Sequence, residues 1–295
     1  MTAQDRGLAA LGLDGVPALQ PLTYPGLPVT VPSLLTDAEL LPLLAQRGGL
    51  GAWTVDGAGH RPHRSLDEVL TGLGRAPVAG RLPVLAVGSN ASPGQLSHKL
   101  ARLGVPGGVP MVPVRLRGIG IGCSAHIGRA GYVAAAPYSS AEARAALVVS
   151  WLDEAQLAAV DATELPNYRR VRLPGDAYGM SLPSGERLGE AYVYVSARGL
   201  LADPVTGAPR PGGGDQAVLL DALLDASPRL RELLGPDAAT WVRRAAADPE
   251  LRARGTLLFA EEGWVLPWTE LPVPPGRARL FYSLLAGTVS SPLSS

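Results

Sequence analysis

The sequence predicts a mixed α+β fold, and three observations indicate it. A short apolar strand, 85–87, ends at Gly-Ser-Asn and is followed at once by a Ser-Pro helix start. A capping box, Asp153 with Gln156, opens a second helix directly after another apolar strand. Leucines at helical spacing between residues 216 and 234 predict further helices toward the C-terminus.

Residues 1–80 are predicted to form an N-terminal extension with short helices. Two capping boxes mark the expected helix starts, the first at Thr36 with Glu39 and the second at Ser65 with Glu68. The glycine-rich stretch 48–59 separates them and is expected to be a loop.

Residues 81–200 are predicted to form the core of the protein. Apolar runs bounded by turn residues predict strands over 112–121, 132–136 and 145–152. A hairpin is expected to follow, with its turn at Pro183-Ser184-Gly185. Its two strands are predicted over 177–182 and 187–195.

Residues 201–295 are predicted to form a helical C-terminal extension behind a loop rich in proline and glycine. Helices are expected over 216–234, with a restart at Ser227-Pro228, over 237–247, and after Asp248-Pro249. The tail segments 256–260 and 264–268 are expected to add a strand or to pack on the core. We interpret the leucine stripes of both extensions as packing faces, with a homodimer surface as the alternative.

The turn after the first core strand is a candidate binding site. We call its five residues, Val87, Gly88, Ser89, Asn90 and Ala91, the GSN loop. Where a strand stops and a helix begins behind such a turn, several backbone N–H groups lack an acceptor. Such a turn suits a carboxylate, so the GSN loop is predicted to hold an acidic part of a substrate.

A single carboxylate ends the apolar stripe of the helix that begins at the Asp153 capping box. Leu157, Val160 and Glu164 follow i, i+3, i+7 spacing, which places the three side chains on one helical face. If that face is buried, desolvation is expected to raise the pKa of Glu164 toward the range useful for proton transfer. The alternative is a helix-end carboxylate paired with Arg169 or Arg170.

Together, the two segments resemble the gamma-glutamyl cyclotransferase-like superfamily. The shared features are the strand-Gly-Ser-Asn-helix opening, a strand that ends in Leu-Asp, and Val-Asp-x-x-Glu-x-x-x-Tyr-Arg-Arg from residue 160. In that family the corresponding segments read Tyr-Gly-Ser-Asn-Leu and Leu-Asp-x-x-Glu-Gly. The resemblance spans roughly residues 81–196. It implies a small mixed β-barrel with surrounding helices, elaborated here at both ends.

The resemblance also implies an activity. In the family the glycine-serine-asparagine loop holds the glutamyl group, and the acid that matches Glu164 acts as general acid/base. The α-amine of a γ-glutamyl amide attacks its own γ-carbonyl, which gives 5-oxoproline and a free amine or amino acid. No metal or organic cofactor is expected. Tyr168, which follows the helix break at Pro166, is expected to bring a phenol beside Glu164.

Three positions depart from the family pattern. Val87 stands where the family has tyrosine, Ala91 where it has leucine, and Leu165 where it has glycine. Two alternative functions therefore stay open. One is an amide hydrolase or acyl transferase that uses the same base, and the other is a non-catalytic module that binds a small molecule. The sequence does not specify the amine that would leave.

Composition and charge indicate which partners and which cellular location to expect. Basic and acidic residues balance at 26 each, so neither nucleic acid nor an anionic membrane is an expected partner. Lys99 is the single lysine, which we interpret as coding bias in a GC-rich genome. One cysteine, Cys123, cannot form an intrachain disulfide, and its apolar surroundings argue against a nucleophile. With no signal peptide or membrane span predicted, the expected location is the cytoplasm.

The four histidines do not predict a metal site. His60 and His63 flank a proline in a glycine-rich stretch, and no acidic cluster accompanies them. His98 is expected in the helix after the GSN loop. His126 is expected in a loop after Cys123, where it could border the pocket.

Overall fold

The computed structural model describes residues 5–37, 39–56, 64–267 and 271. Its strands are β1 (Ser33–Leu35), β2 (Leu40–Leu44), β3 (Thr54–Val55), β4 (Arg64–Ser65), β5 (Leu82–Ala86), β6 (Val109–Ile127), β7 (Val133–Leu152), β8 (Tyr168–Pro174), β9 (Glu190–Ser196), β10 (Leu200–Leu201) and β11 (Val265–Leu266). Its α-helices are α1 (Leu66–Gly72), α2 (Pro93–Arg102), α3 (Glu154–Glu164), α4 (Gly175–Tyr178), α5 (Gln216–Ala226), α6 (Pro228–Leu234), α7 (Ala238–Ala247) and α8 (Pro249–Glu261).

The strands form a mixed sheet built around a long antiparallel pair. The main path runs β4-β3-β2-β1-β6-β7-β5-β9-β8, with β10 attached to β6 and β11 attached to β10. Strands β5 and β9 pair in parallel, with Val84 opposite Tyr192. The predicted α+β class with surrounding helices is confirmed, but the small mixed β-barrel that the resemblance implies is an open sheet here. Among the described strands the sheet is not closed, because β4 and β8 are the two ends of the path.

Apolar side chains pack on both faces of the sheet. In β5, Leu85 belongs to one buried cluster and Val84 to another, as the alternation of side chains along a strand requires. A third cluster joins the far end of β6, at Ile127, to the C-terminal helices, where Trp241 and Phe259 are fully buried. The helices α5 to α8 therefore pack on the sheet through a core of their own.

Several predicted elements are confirmed. Helix α1 begins at the Ser65 capping box, and helix α3 begins at the Asp153 capping box, with Gln156 completing it. Helix α3 ends at Glu164, ahead of the predicted break at Pro166, and strand β8 follows from Tyr168. In the C-terminal region Ser227 caps α6, which is the predicted restart. The other two predicted C-terminal helices correspond to α7 and α8.

Other predictions are wrong, each for a local reason. Thr36 and Glu39 close a tight turn between β1 and β2, since the Glu39 N–H donates to the Thr36 hydroxyl at 3.2 Å. The segment 177–182 is not a strand throughout, because α4 extends to Tyr178 and Gly179 ends it with a left-handed φ of 54°. Of the two alternatives for residues 256–260, the added strand is wrong and packing on a core is confirmed, since these residues lie in α8 with Leu258 and Phe259 in the third cluster.

The predicted strands 132–136 and 145–152 are parts of one strand, β7, which pairs with β6 over nearly its whole length. Of the tail segment 264–268, Val265 and Leu266 form β11, and Trp268 lies outside the described residues. In the described part of the chain, no helix combines the length and apolarity that crossing a bilayer needs.

Candidate functional site

The GSN loop has the predicted strand-turn-helix form. Strand β5 ends at Ala86, a single 3₁₀ turn covers Ser89–Ala91, and α2 begins at Pro93 with Ser92 as its N-cap. Proline suits this first helical position because its ring fixes φ and it has no N–H to satisfy. The turn leads directly into α2, a helix of ten residues. The Asn90 side chain in this turn reaches Glu164 at the end of α3.

Asn90, Lys99 and Glu164 form a closed triangle of hydrogen bonds. The Asn90 Nδ2 atom donates to Glu164 Oε1 at 3.0 Å. The Lys99 ammonium donates to Asn90 Oδ1 at 2.7 Å and to the same Glu164 oxygen at 2.8 Å. The side chains of Lys99 and Glu164 are only 10% and 16% exposed, so the ion pair is largely desolvated. The structure thus brings together the two sequence segments that resemble the family.

The positions of the two charges on their helices favour this pair. Glu164 is the last residue of α3, where the helix dipole is negative and destabilises a carboxylate. Lys99 lies in the last turn of α2, where the dipole favours a cation. The Lys99 ammonium therefore offsets the unfavourable position of the Glu164 carboxylate at the negative end of α3.

The predicted helical face is present, but the charged partner of Glu164 is not the expected one. Val160 is buried on the same face of α3 as Glu164. The structure pairs Glu164 with Lys99. Arg170, one of the two arginines considered as partners, instead binds Asp161 through Nε and Nη2, both at 3.1 Å.

Tyr24, from the N-terminal region, lies against the GSN loop. A Cβ atom added to Gly88 would overlap the Tyr24 hydroxyl. That hydroxyl accepts the Ala135 N–H at 2.7 Å, and the ring stacks on Tyr132 with centroids 4.4 Å apart. Gly88 is therefore needed because the phenol of Tyr24, a residue of this same chain, lies where a side chain at position 88 would be.

The same N-terminal region covers the start of α2. A Cβ on Gly94 would lie 2.7 Å from the carbonyl oxygens of Leu13 and Gly15. The Ala18 N–H donates to the buried Gln95 side chain at 2.9 Å. Beside Asn90 the remaining cavity is about 10 Å³, room for no more than about one water molecule. The helix start is thus packed against other parts of the chain.

The phenols of Tyr24, Tyr132 and Tyr168 lie close enough to Glu164 for its charge to affect them. Tyr168 is buried, and its hydroxyl donates to the Ala135 carbonyl at 3.1 Å. Burial, together with nearby Tyr24 and Glu164, holds the pKa of Tyr168 well above its usual range. Burial and then Glu164 raise the pKa of Tyr132 to about 12, a shift that its hydrogen bond with Ser89 partly offsets. All these phenols are therefore neutral hydrogen-bonding groups near pH 7.

His126 lies in strand β6 and not in the predicted loop. It is buried, with Nδ1 2.6 Å from the Ser124 hydroxyl, and its ring meets the edge of Tyr168 at 5.6 Å. Burial, followed by the charge of Arg198, lowers its pKa to about 4, although Glu164 opposes the shift. His126 is accordingly a neutral group behind Tyr168.

Cys123 is buried in the same strand, and its Sγ donates to the Pro211 carbonyl at 3.3 Å. Burial raises the pKa of the thiol to about 11, against a smaller effect of Arg210. Such a thiol is a poor nucleophile.

His98 lies on α2, whereas His60 and His63 fall outside the described residues. Within the ranges described, no three His, Cys, Asp or Glu side chains cluster as metal ligands would.

The sequence interpretation missed three residues of this site. Lys99 carried a signal, because it is the single lysine of the chain and lies in the helix that begins behind the GSN loop. No spacing or motif in the sequence indicated that Tyr24 and Tyr132 belong to this site. Tyr24 contacts Ala135 across 111 residues of sequence, so only the folded chain brings them together.

Comparisons with known proteins found distant likenesses of fold. No family model matches the sequence, and no curated protein matches it. A gamma-glutamyl cyclotransferase structure is 14% identical and superposes with a TM-score of 0.31, covering 40% of this chain and 68% of the other. A solution structure from Arabidopsis thaliana is 18% identical and superposes with a TM-score of 0.32, covering 52% of this chain and 82% of the other. A yeast gamma-glutamyl cyclotransferase specific to glutathione is 11% identical and superposes with a TM-score of 0.29, covering 56% of this chain and 97% of the other.

Proposed function

We propose that this protein cyclises γ-glutamyl amides and releases 5-oxoproline with a free amine or amino acid, using Glu164 as general acid/base. The observation that supports this proposal is the hydrogen bond of 3.0 Å between Asn90 of the GSN loop and Glu164. The two residues are 74 positions apart in sequence and belong to the two segments that carry the family resemblance. A binding turn and a candidate base therefore meet at one point.

The reaction balances without water, metal or cofactor. The α-amine nitrogen of the substrate attacks the γ-carbonyl carbon, and the bond from that carbon to the amide nitrogen breaks. Glu164 takes the proton that the attacking nitrogen loses and delivers it to the departing nitrogen. Holding the glutamyl chain folded is the larger contribution, because well-oriented intramolecular attack is worth about 7 to 11 kcal/mol.

Lys99 would prepare the base. Its ammonium lies 2.8 Å from Glu164 Oε1, so it holds the carboxylate in a fixed position. Two of the three ammonium N–H groups bind Asn90 and Glu164. Lys99 thereby also fixes Asn90, whose backbone belongs to the GSN loop, relative to the base.

The GSN loop and Tyr168 would bind the glutamyl group. Backbone N–H groups of the GSN loop before Ala91 are suited to its α-carboxylate or to the oxygen that becomes negative during attack, whereas the Ala91 N–H already donates to Gly88 O at 3.0 Å. Tyr168, held neutral against Ala135, would border the site as a neutral hydrogen-bonding group.

The test is a search for 5-oxoproline by mass spectrometry after incubation with γ-glutamyl amino acids, peptides and amines. We expect product from the parent and a loss of at least about 100-fold in Glu164→Gln, which keeps the shape but removes the base. Glu154→Gln is the matched control, since Glu154 is exposed at the other end of α3. Equal turnover by parent and Glu164→Gln would overturn the role of Glu164. A folded parent that yields no 5-oxoproline would overturn the cyclisation itself.

A second candidate is a non-catalytic module that binds a small molecule. The observation that favours it is the Tyr24 hydroxyl, which occupies the space in front of Gly88 where a substrate would have to lie. Saturable binding of a γ-glutamyl amide by calorimetry, with the ligand recovered intact, would support this candidate against the enzyme. The third candidate, a redirected hydrolase or acyl transferase, predicts free glutamate or a transferred γ-glutamyl group in the same assay.

A further inference from the structure

Residues 9–28 form a long loop that covers the GSN loop and the start of α2. Apart from one 3₁₀ turn they contain no helix or strand, and their backbone hydrogen bonds join positions at most five apart. Both ends of the loop are fixed, since the Leu40 N–H donates to Arg6 O at 3.0 Å and the Val29 N–H donates to Ala91 O at 3.2 Å. Such long loops without secondary structure are uncommon in compact domains, and many of them are active-site lids.

The side chain of this loop that reaches the GSN loop is Tyr24. Within residues 9–28 only Pro17 and Tyr24 are buried. The Tyr24 hydroxyl lies where a side chain at Gly88 would be, and the Ala135 Cβ atom lies 3.7 Å from the same point. The hydroxyl oxygen accepts the Ala135 N–H at 2.7 Å. A substrate oxygen bound at Gly88 would therefore replace the phenol oxygen and would gain the Ala135 N–H as a donor.

The Tyr24 ring borders a cavity of about 220 Å³ between the sheet and the start of α5. Its sheet side is formed by Cys123, Val133 and Ala135. Cavities of about 150 Å³ can hold benzene, so this one has room for a phenol ring. The Asp215 carboxylate also lines the cavity and offers an acceptor for a phenol O–H. The ring therefore has a second place in the protein, beside its present one, that can bury it.

We propose that Tyr24 is a gate, whose phenol closes the GSN loop in this structure and whose ring moves into the cavity beside α5 when substrate enters. The inference rests on the proposed function, because it takes the GSN loop as the substrate site. In the open state the Ala135 N–H, released by the phenol, donates to an oxygen of the substrate. The apparent affinity is lowered by the fraction of molecules that are closed, so Tyr24 acts on KM and takes no part in proton transfer.

Hydrogen exchange at the Ala135 amide tests the gate without any substrate. This N–H is held by the Tyr24 hydroxyl, so it exchanges when the ring moves away. Ala222→Phe places a ring in the cavity from a half-buried position on α5, and Ala135 should then exchange at least about tenfold more slowly by NMR. Ala226→Phe, at an exposed position on the same helix, is the matched control and should leave the exchange unchanged. Exchange at Ala135 that is equal or faster in Ala222→Phe would overturn the gate.

Kinetics with γ-glutamyl-alanine and γ-glutamyl methylamide test the same gate during turnover. Tyr24→Ala removes the gate, so KM should fall at least about threefold with kcat nearly unchanged, whereas loss of a merely structural tyrosine would lower turnover. Ala222→Phe keeps the gate closed and should raise KM at least about threefold, a test that stands even where Tyr24→Ala does not fold.

The outcomes separate the gate from the proposed function. Formation of 5-oxoproline with the same KM in the parent and in Ala222→Phe would overturn the gate, while the cyclisation stands. A KM that rises in Tyr24→Ala would also overturn it. Slower exchange at Ala135 in Ala222→Phe, without 5-oxoproline from any folded variant, would remove the cyclisation and support Tyr24 as the gate of a binding site.

Discussion

The Lys99 ammonium lies 2.8 Å from Glu164 Oε1, and Lys99 is the single lysine among 26 lysine and arginine residues. In a chain that uses arginine almost everywhere else, a lysine here indicates a local requirement. An ammonium is a compact charge whose donors rotate, whereas a guanidinium is a wide planar fork. The ammonium contacts Asn90 Oδ1 and Glu164 Oε1 simultaneously at 2.7 and 2.8 Å, which suits the smaller group.

Replacing Lys99 should therefore affect both stability and turnover. Lys99→Met leaves a largely buried carboxylate unpaired at the negative end of α3, and we expect a loss of about 1.5–3 kcal/mol in the free energy of unfolding. A double-mutant cycle with Glu164→Gln, measured by chemical denaturation, should recover most of that loss as coupling energy. Coupling below about 0.5 kcal/mol would contradict a functional pair. Lys99→Arg should keep the charge and still lower kcat, because the fork fits the triangle poorly.

The contact of Tyr24 with Gly88 gives a second prediction. Gly88→Ala forces the Tyr24 hydroxyl out of its position, so we expect destabilisation of about 1–3 kcal/mol. Tyr24→Phe removes the overlapping oxygen but leaves the Ala135 N–H without its acceptor, at a similar cost. The double variant should be more stable than the sum of the two losses predicts, as measured by thermal unfolding. Strict additivity would mean that the two groups do not touch.

The sequence predicted the parts of this site that depend on local order. The capping box at Asp153 and the spacing from Val160 to Glu164 place the carboxylate at the end of α3, and Gly-Ser-Asn marks the turn before α2. What it could not predict depends on packing between distant segments. The partner of Glu164 follows from how α2 lies against α3. A tyrosine from residue 24 fills the site only after the N-terminal region has folded onto the sheet.

The anchor of α3 can be tested separately from Glu164 at the other end of the helix. The Arg81 side chain is fully buried, and its Nη1 donates to Trp151 O and Gln156 Oε1, both at 3.0 Å. It also lies 3.5 Å from Asp153, the N-cap of α3. Arg81→Met removes these hydrogen bonds, whereas Gln156 Oε1 keeps the Asp153 N–H and the Asp153 carboxylate keeps Arg75, so we expect a loss of about 1.5–3 kcal/mol by denaturant titration. Arg102→Met, at an exposed helix end, should change stability by less than about 0.5 kcal/mol. Similar values for the two variants would contradict a structural role for the buried arginine.

His126 predicts how stability depends on pH. Burial and Arg198 lower its pKa to about 4, whereas in the unfolded chain it titrates near its usual 6.5. Between these values the unfolded state binds the additional proton, so stability is fully present above about pH 6.5 and falls as pH decreases toward 4. Titration of this one group can change the free energy of unfolding by at most about 1.4 kcal/mol per pH unit. His126→Gln cannot bind that proton, so its free energy of unfolding, measured by denaturant titration from pH 4 to 7.5, should fall less steeply. Parallel curves for parent and variant would show that His126 binds its proton equally well in the folded and the unfolded protein.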